Sequence, residues 1–233
     1  MIRPLVVIPA RSGSKGILRK NIKILGDKPL IMHTILAARK IFQDHEIIVS
    51  TDDAEIKKHV EGEGLEVPFL RPPHLASDTA GIYEVLLHSL EYTRKNGLDP
   101  NVIVLLQPTS PFRSADHIRE ALNIYEMEKG LDMIVSVTET KANPYYVLFE
   151  ENRKGFLEHS KKGNFERRQD CPKVWQYNGA IYIINVASIE NAKLSEFKKI
   201  RKYVMDEESS HDIDTPTDWM LAEKMLENRS RKP

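Results

Sequence analysis

The chain is 233 residues long, 41% hydrophobic and 29% charged, with 34 Lys and Arg balancing 34 Asp and Glu. These figures suit one folded α/β domain with a small appendage, and argue against disorder or a broad basic face for nucleic acid or anionic membrane. The first apolar run, residues 5–10, is too short for a secretion signal or a membrane span, and a lone Cys171 offers neither a disulfide nor a zinc cluster, so a cytoplasmic protein is expected.

Residues 5–9, Leu-Val-Val-Ile-Pro, read as a buried strand. A Gly-rich basic loop follows over 10–21, and apolar residues at helical spacing predict a helix over 30–41. A strand at 46–51, an amphipathic helix over 53–64, a short strand at 67–70, a longer helix over 78–96 and a strand at 102–107 come next. Ser114 is the expected cap of a helix that stops at Gly130, and 133–138 is another strand. Strands alternating with helices of this length need crossover connections, which gives an α/β fold: a doubly wound, mostly parallel sheet sandwich covered on both faces.

From 140 to 172 the pattern changes to a charged, turn-rich stretch with one expected strand at 145–149. It reads as a β-rich arm inserted into a core made of 1–139 and 173–233. An apolar Tyr-Tyr-Val-Leu-Phe edge is poorly protected in a monomer, so the arm is expected to pair with a second copy as a homodimer. Core composition returns at 180–186, and 217–226 closes the chain as a helix.

Between the first strand and the first helix stand Arg11, Lys15, Arg19 and Lys20, with Gly13 and Gly16 among them. Open α/β sheets bind ligands at such loops, where backbone N–H groups cradle phosphate oxygens and Lys or Arg supplies charge. The spacing matches neither GxxxxGK[ST] nor GxGxxG, so a phosphate-rich ligand is expected without those two folds. Asp212 and Asp214, two apart on an extended segment, share one face and suit a hard cation such as Mg²⁺. Asp214 or Thr215 could instead cap the helix opened by Pro216, with Asp218 in its first turn. Asp52 ends the second strand where a nucleotide hydroxyl could be held, although Asp52 and Asp53 serve equally well as helix caps. Gln107, Thr109 and Ser110 leave a core strand at its C-terminal end, where substrate contacts are expected. No histidine pair has metal-ligand spacing, and His211, beside the two acids, is the one histidine of interest.

Ile8-Pro-Ala-Arg-Ser-Gly-Ser-Lys-Gly16 with Lys20-Asn21-Ile22 resembles the signature of the CMP-sialic acid synthetase (acylneuraminate cytidylyltransferase) family. Leu70-Arg71-Pro72, Leu75-Ala-Ser-Asp-Thr-Ala80, Leu105-Leu-Gln-Pro-Thr-Ser-Pro111, Arg113, Asn178-Gly-Ala-Ile-Tyr182 and Asp212-Ile-Asp214 resemble that family's blocks in the same order. The resemblance implies a nucleotidyltransferase that uses CTP, Mg²⁺ and a nine-carbon sugar acid. It implies catalytic roles for Lys15, Arg11 and Asp212, and nucleotide contacts from Arg11, Ser14, Lys15, Lys20, Asn21, Arg71 and Ala80. It further implies sugar contacts from Gln107, Thr109, Ser110, Arg168, Asn178, Gly179 and Tyr182, and a metal held by Asp212 and Asp214. Gln176 stands where some bacterial relatives carry a second arginine, so legionaminic acid or another diamino sugar acid stays open beside N-acetylneuraminic acid. A glycosyltransferase of related fold would place its acid pair directly after a central strand, and a domain that only senses CTP would have no need of Lys15 and the acids together.

Overall fold

The computed structural model describes residues 1–13, 16–77 and 80–230, so Ser14, Lys15, Asp78 and Thr79 of the motifs above lie outside the described residues. Strand β1 (Pro4–Pro9) leads through the basic loop to a two-stranded turn, β2 (Ile24–Leu25) and β3 (Lys28–Pro29), and then helix α1 (Leu30–Arg39). Next come β4 (Ile47–Ser50), α2 (Ala54–Gly62), α3 (Ile82–Lys95), β5 (Val102–Leu105), α4 (Ala115–Met127) and β6 (Met133–Glu139). A hairpin of β7 (Phe149–Glu151) and β8 (Leu157–His159) precedes the long β9 (Trp175–Asn185), α5 (Val186–Asn191), β10 (Ile200–Val204) and α6 (Pro216–Ser230).

The main sheet has the order β10-β6-β9-β5-β1-β4. Pairing is parallel for β1 with β4, β1 with β5 and β6 with β10, while β9 runs antiparallel to both β5 and β6. The sheet is therefore mixed and mostly parallel. It is buried on both faces because successive β1 residues serve opposite cores: Val6 and Ile8 pack with Ile31, Ile35, Ile56 and Ile118, whereas Leu5 and Val7 pack with Leu86, Leu90 and Ile189. Each such side chain contributes about 1.5–3 kcal/mol on burial. A third cluster joins Ile17 and Leu30 to Phe112, Ile213 and Trp219, so that α6 clamps the basic loop against the end of the sheet. Among the described residues no helix is long and apolar enough to cross a membrane.

Several expectations need correction. Residues 67–70 form no strand beyond a single bridge from Leu70 to Thr51, because Pro68 removes a donor from the ladder. Residues 145–148 are a turn built on Asn143, whose carbonyl accepts from Tyr146, Val147 and Leu148, so the arm's strand begins only at Phe149. Helix α4 starts after Ser114 as expected but ends at Met127, three residues before Gly130. The strand expected at 180–186 begins earlier, at Trp175, and α5 and β10 join the expected set.

Candidate active site

The sheet's topology brings the C-terminal ends of β1 and β5 side by side, and the loops that leave them enclose a pocket of about 450 Å³. Arg11, Lys20 and Asn21 line it from the basic loop, Gln107 and Thr109 from the turn after β5, and Asp214 from the segment before α6. Lys20 is buried, and its ammonium donates to the Ile213 carbonyl at 2.6 Å and to Asp214 Oδ1 at 2.9 Å. Asn21 is buried too, and its amide donates to the Arg11 carbonyl at 3.1 Å, closing the base of the loop. Gly16 is required by close approach: a Cβ there would stand 2.0 Å from the Asp214 carbonyl oxygen. The loop and the acid-bearing segment are thus in direct contact.

Asp52 and Asp53, equivalent in the sequence, have separate jobs. Asp53 caps α2, accepting from the Glu55 and Ile56 N–H groups. Asp52 takes both the backbone N–H of Ser12, at 3.0 Å, and its hydroxyl, at 2.6 Å. Burial opposes ionisation of Asp52, but the Ser12 bonds, aided by the nearby Arg71 charge, hold its carboxyl below the usual range. Arg71 is itself buried and donates from Nε to Ser50 Oγ at 3.0 Å. Capping explains Asp52 and Asp53 equally well from the sequence; the pairing with Ser12 is what separates the two.

The opposite wall comes from an irregularity in β9. Val135 pairs with Tyr182 but Val137 pairs with Tyr177, so residues 178–181 bulge opposite Ser136. Ser136 fills the gap: its hydroxyl donates to Asn178 Oδ1 at 2.5 Å, and it accepts from the Ile181 N–H at 2.7 Å. Asn178 also donates to Ser210 Oγ at 2.9 Å, so its buried side chain is engaged inside the protein and shapes the bulge. At the crest Gly179 has φ +75°, and a Cβ there would lie 3.7 Å from Gln107 Oε1, 3.7 Å from Ser110 Oγ and 3.8 Å from Asp212 Oδ2. Three polar groups of the expected set therefore converge on one glycine.

Asp212 is half-buried beside Thr109. Burial pushes its carboxyl above the usual range, and the Asp214 charge acts in the same direction, while the Thr109 hydroxyl and Lys20 oppose. The Asp212 Oδ1 and Thr109 Oγ1 atoms are buried, yet among the described residues neither makes a well-formed hydrogen bond. Asp214 is free of the capping role: Thr215 accepts from the Asp218 N–H at 3.2 Å, and Asp218 Oδ2 accepts from Thr215 N at 2.7 Å. Two exposed or half-buried carboxylates, with an unsatisfied acceptor between them and Thr109, make an all-oxygen set that suits a hard divalent cation.

Other expected residues are placed less centrally. Tyr182 packs edge-on to Tyr177, with centroids 6.2 Å apart, and burial raises its phenol above the usual range. Ala80 precedes α3 and donates its N–H to Ser77. Arg168 is exposed on a short turn of the arm, and no hydrogen bond or ion pair joins it to the described part of the pocket. His211 contacts the Asp218 carbonyl at 2.9 Å and leans toward Phe112, which is a packing role. A larger concavity of about 700 Å³, lined by Glu207, Glu208, Leu221 and Arg229 against α6, lacks the converging cations and polar turns of the smaller one.

Comparison with known proteins identifies the family. The family model described as cytidylyltransferase matches residues 5–229. The CMP-N,N'-diacetyllegionaminic acid synthase of Legionella pneumophila is 34% identical over 97% of this chain and 97% of its own length. The N-acylneuraminate cytidylyltransferase of Escherichia coli is 34% identical over 98% of this chain and 53% of that longer protein. Among solved structures, a CMP:2-keto-3-deoxy-manno-octonic acid synthetase complexed with CTP superposes with a TM-score of 0.70 at 17% identity, covering 97% of this chain and 99% of that one. At that identity the likeness is one of fold.

Proposed function

The chain belongs to the cytidylyltransferase family, in the branch of CMP-sialic acid synthetases, and from that premise we propose that it transfers CMP from CTP to the anomeric hydroxyl of a nonulosonic acid and releases pyrophosphate. An N-acylneuraminic acid, such as the N-acetyl form, and N,N'-diacetyllegionaminic acid are the two acceptor types that the relatives' names suggest, at equal identity. The observation that carries the reading is the junction of the basic loop with the acid segment, seen in Lys20 bound to both Ile213 and Asp214.

In-line attack on the α-phosphate asks little covalent chemistry of a protein; positioning and charge stabilisation do most of the work. Arg11 and Lys20 present cations where the phosphates enter, with Lys15 joining them on the evidence of the resemblance. Asn21 and Asp52 hold the two ends of the loop so that its backbone N–H groups can face the phosphates. Asp212 and Asp214, the former with an unsatisfied Oδ1, would hold a divalent cation, for which Mg²⁺ is our proposal. Such a cation would supply Lewis-acid neutralisation of the triphosphate's charge. Gln107, Ser110 and Gly179 form the wall against which the sugar acid rests, and Asn178 shapes that wall from within.

The arm is the proposed dimer contact. Val147, Leu148, Phe149, Phe156 and Leu157 are exposed on and around the β7–β8 hairpin, and a second copy that covers them would carry Arg168 as a cation for the sugar carboxylate. The work is assigned to the cytoplasm, where a free Cys171 stays reduced. The test is pyrophosphate release with CTP and Mg²⁺ over a panel of nonulosonic acids, against 2-keto-3-deoxy-octonic acid and the other nucleoside triphosphates. Release with CTP and one nine-carbon acid is expected; release with none of the panel, or equal release with every nucleotide, would overturn the proposal.

A further inference from the structure

Arg113 lies on the turn between β5 and α4 and is 3% exposed. Its guanidinium donates from Nη1 to the Ala180 carbonyl at 2.7 Å and the Gln107 carbonyl at 3.2 Å, and from Nη2 to Thr34 Oγ1 at 2.6 Å. All three acceptors are neutral. Among the described residues no carboxylate pairs with it, and its Nε finds no partner. Burial alone lowers its pKa to about 9. An arginine is almost never fully buried without a counterion, because desolvating the charge costs several kcal/mol per ion.

The position of the charge gives this cost a use. Gln107 and Ala180 are the two backbone supports of the wall at which Gln107 Oε1 and Gly179 meet, so Arg113 ties the β5 turn, the β9 bulge and α1 together directly behind it. Low polarisability inside the protein lets a charge there act on a ligand in front of the wall more strongly than a solvated one could. We propose that Arg113 is a positioning residue for the anionic acceptor: it sets the Gln107–Gly179 wall, and its uncompensated charge behind that wall raises affinity for a sugar that bears a carboxylate. The proposal rests on the reading of the pocket given above, and it assigns to Arg113 the acceptor rather than the nucleotide.

The test compares Arg113→Gln, which keeps polar donors without charge, with Arg113→Lys, which keeps charge with fewer donors. Both are measured by pyrophosphate release, with circular dichroism to confirm folding and the best acceptor of the nonulosonic acid panel as probe. Arg113→Gln is expected to raise KM for the sugar acid by about tenfold or more while KM for CTP stays within about twofold, and Arg113→Lys is expected to recover most of the loss. Equal impairment of the two variants, or a fall in kcat with both KM values unmoved, would reduce Arg113 to a structural brace and overturn the proposal. If Arg113→Gln does not fold, Arg113→Lys decides: a sugar-acid KM within about threefold of wild type supports the role of charge, and a rise of tenfold or more refutes it. A wild-type protein that turns over no sugar acid removes the underlying reading of the pocket, whereas active wild type with indifferent variants removes this inference alone.

Discussion

Behind the pocket, Ser110, Arg113, Ser136 and Asn178 are buried and bonded to one another's neighbours or to backbone carbonyls, whereas in front of it Ser12, Gly13 and Gly16 are exposed. The front loop is tied near its start by Ser12 to Asp52 and near its end by Lys20 to Asp214. The back wall fixes shape, so its polar groups are spent on the protein itself. The front loop instead lines the cavity, with Arg11, Lys20 and Asn21 on its wall. Arg113 apart, whose charge is assigned to the acceptor, substitutions in the two regions should therefore separate into losses of stability and losses of turnover.

The sharpest contrast is expected at Asp212. Asp212→Asn removes charge without changing volume at a half-buried carboxyl whose Oδ1 makes no well-formed hydrogen bond among the described residues, so turnover should fall by about 10²–10³ in kcat with the melting temperature nearly unchanged. Lys15→Ala is expected to behave alike on sequence grounds. A large loss of stability in Asp212→Asn would place it with the back wall and break the division. Asn178→Ala should do the reverse: it removes the bonds that Ser136 and Ser210 make to the Asn178 amide in a buried bulge, at a cost of about 2–3 kcal/mol in denaturant unfolding. The smallest effect is expected at Asp52→Asn. The amide retains one acceptor for Ser12, so KM for CTP should rise only about two- to fivefold, with kcat for the bound complex little altered. A loss at Asp52 as large as that at Asp212 would mean that it touches the nucleotide directly.

The same contrast explains what the amino-acid sequence does and does not reveal. The apolar run of β1, the basic loop and the helical periodicity of α1 and α2 are local signals, and the doubly wound architecture follows from their alternation. The reversed direction of β9 is set by pairing with β5 and β6, remote in sequence, and no local pattern encodes it. Strand β10 carries no alternating apolar signal, because Ile200-Arg-Lys-Tyr-Val204 is a charged edge strand with one buried residue, which is how edges avoid unwanted pairing. Front-loop residues of the pocket could be named from motif and charge. The back wall could be named only in part: the family blocks include Ser110, Arg113 and Asn178, but Arg113 follows Pro and Phe in a turn and reads as a surface cation until burial is known. The motif names Asn178 among the sugar contacts but does not show that its amide bonds Ser136 and Ser210.

The central claim is that the loop at 11–21 and the acids at 212 and 214 form one nucleotide and metal site, and calorimetric titration of CTP tests it most directly. Wild-type protein should bind CTP at least about tenfold more tightly in Mg²⁺ than in EDTA, and Asp212→Asn should lose that difference while still binding weakly through the loop. CTP affinity indifferent to the cation, or an Asp212→Asn protein with the full wild-type response to Mg²⁺, would contradict the account.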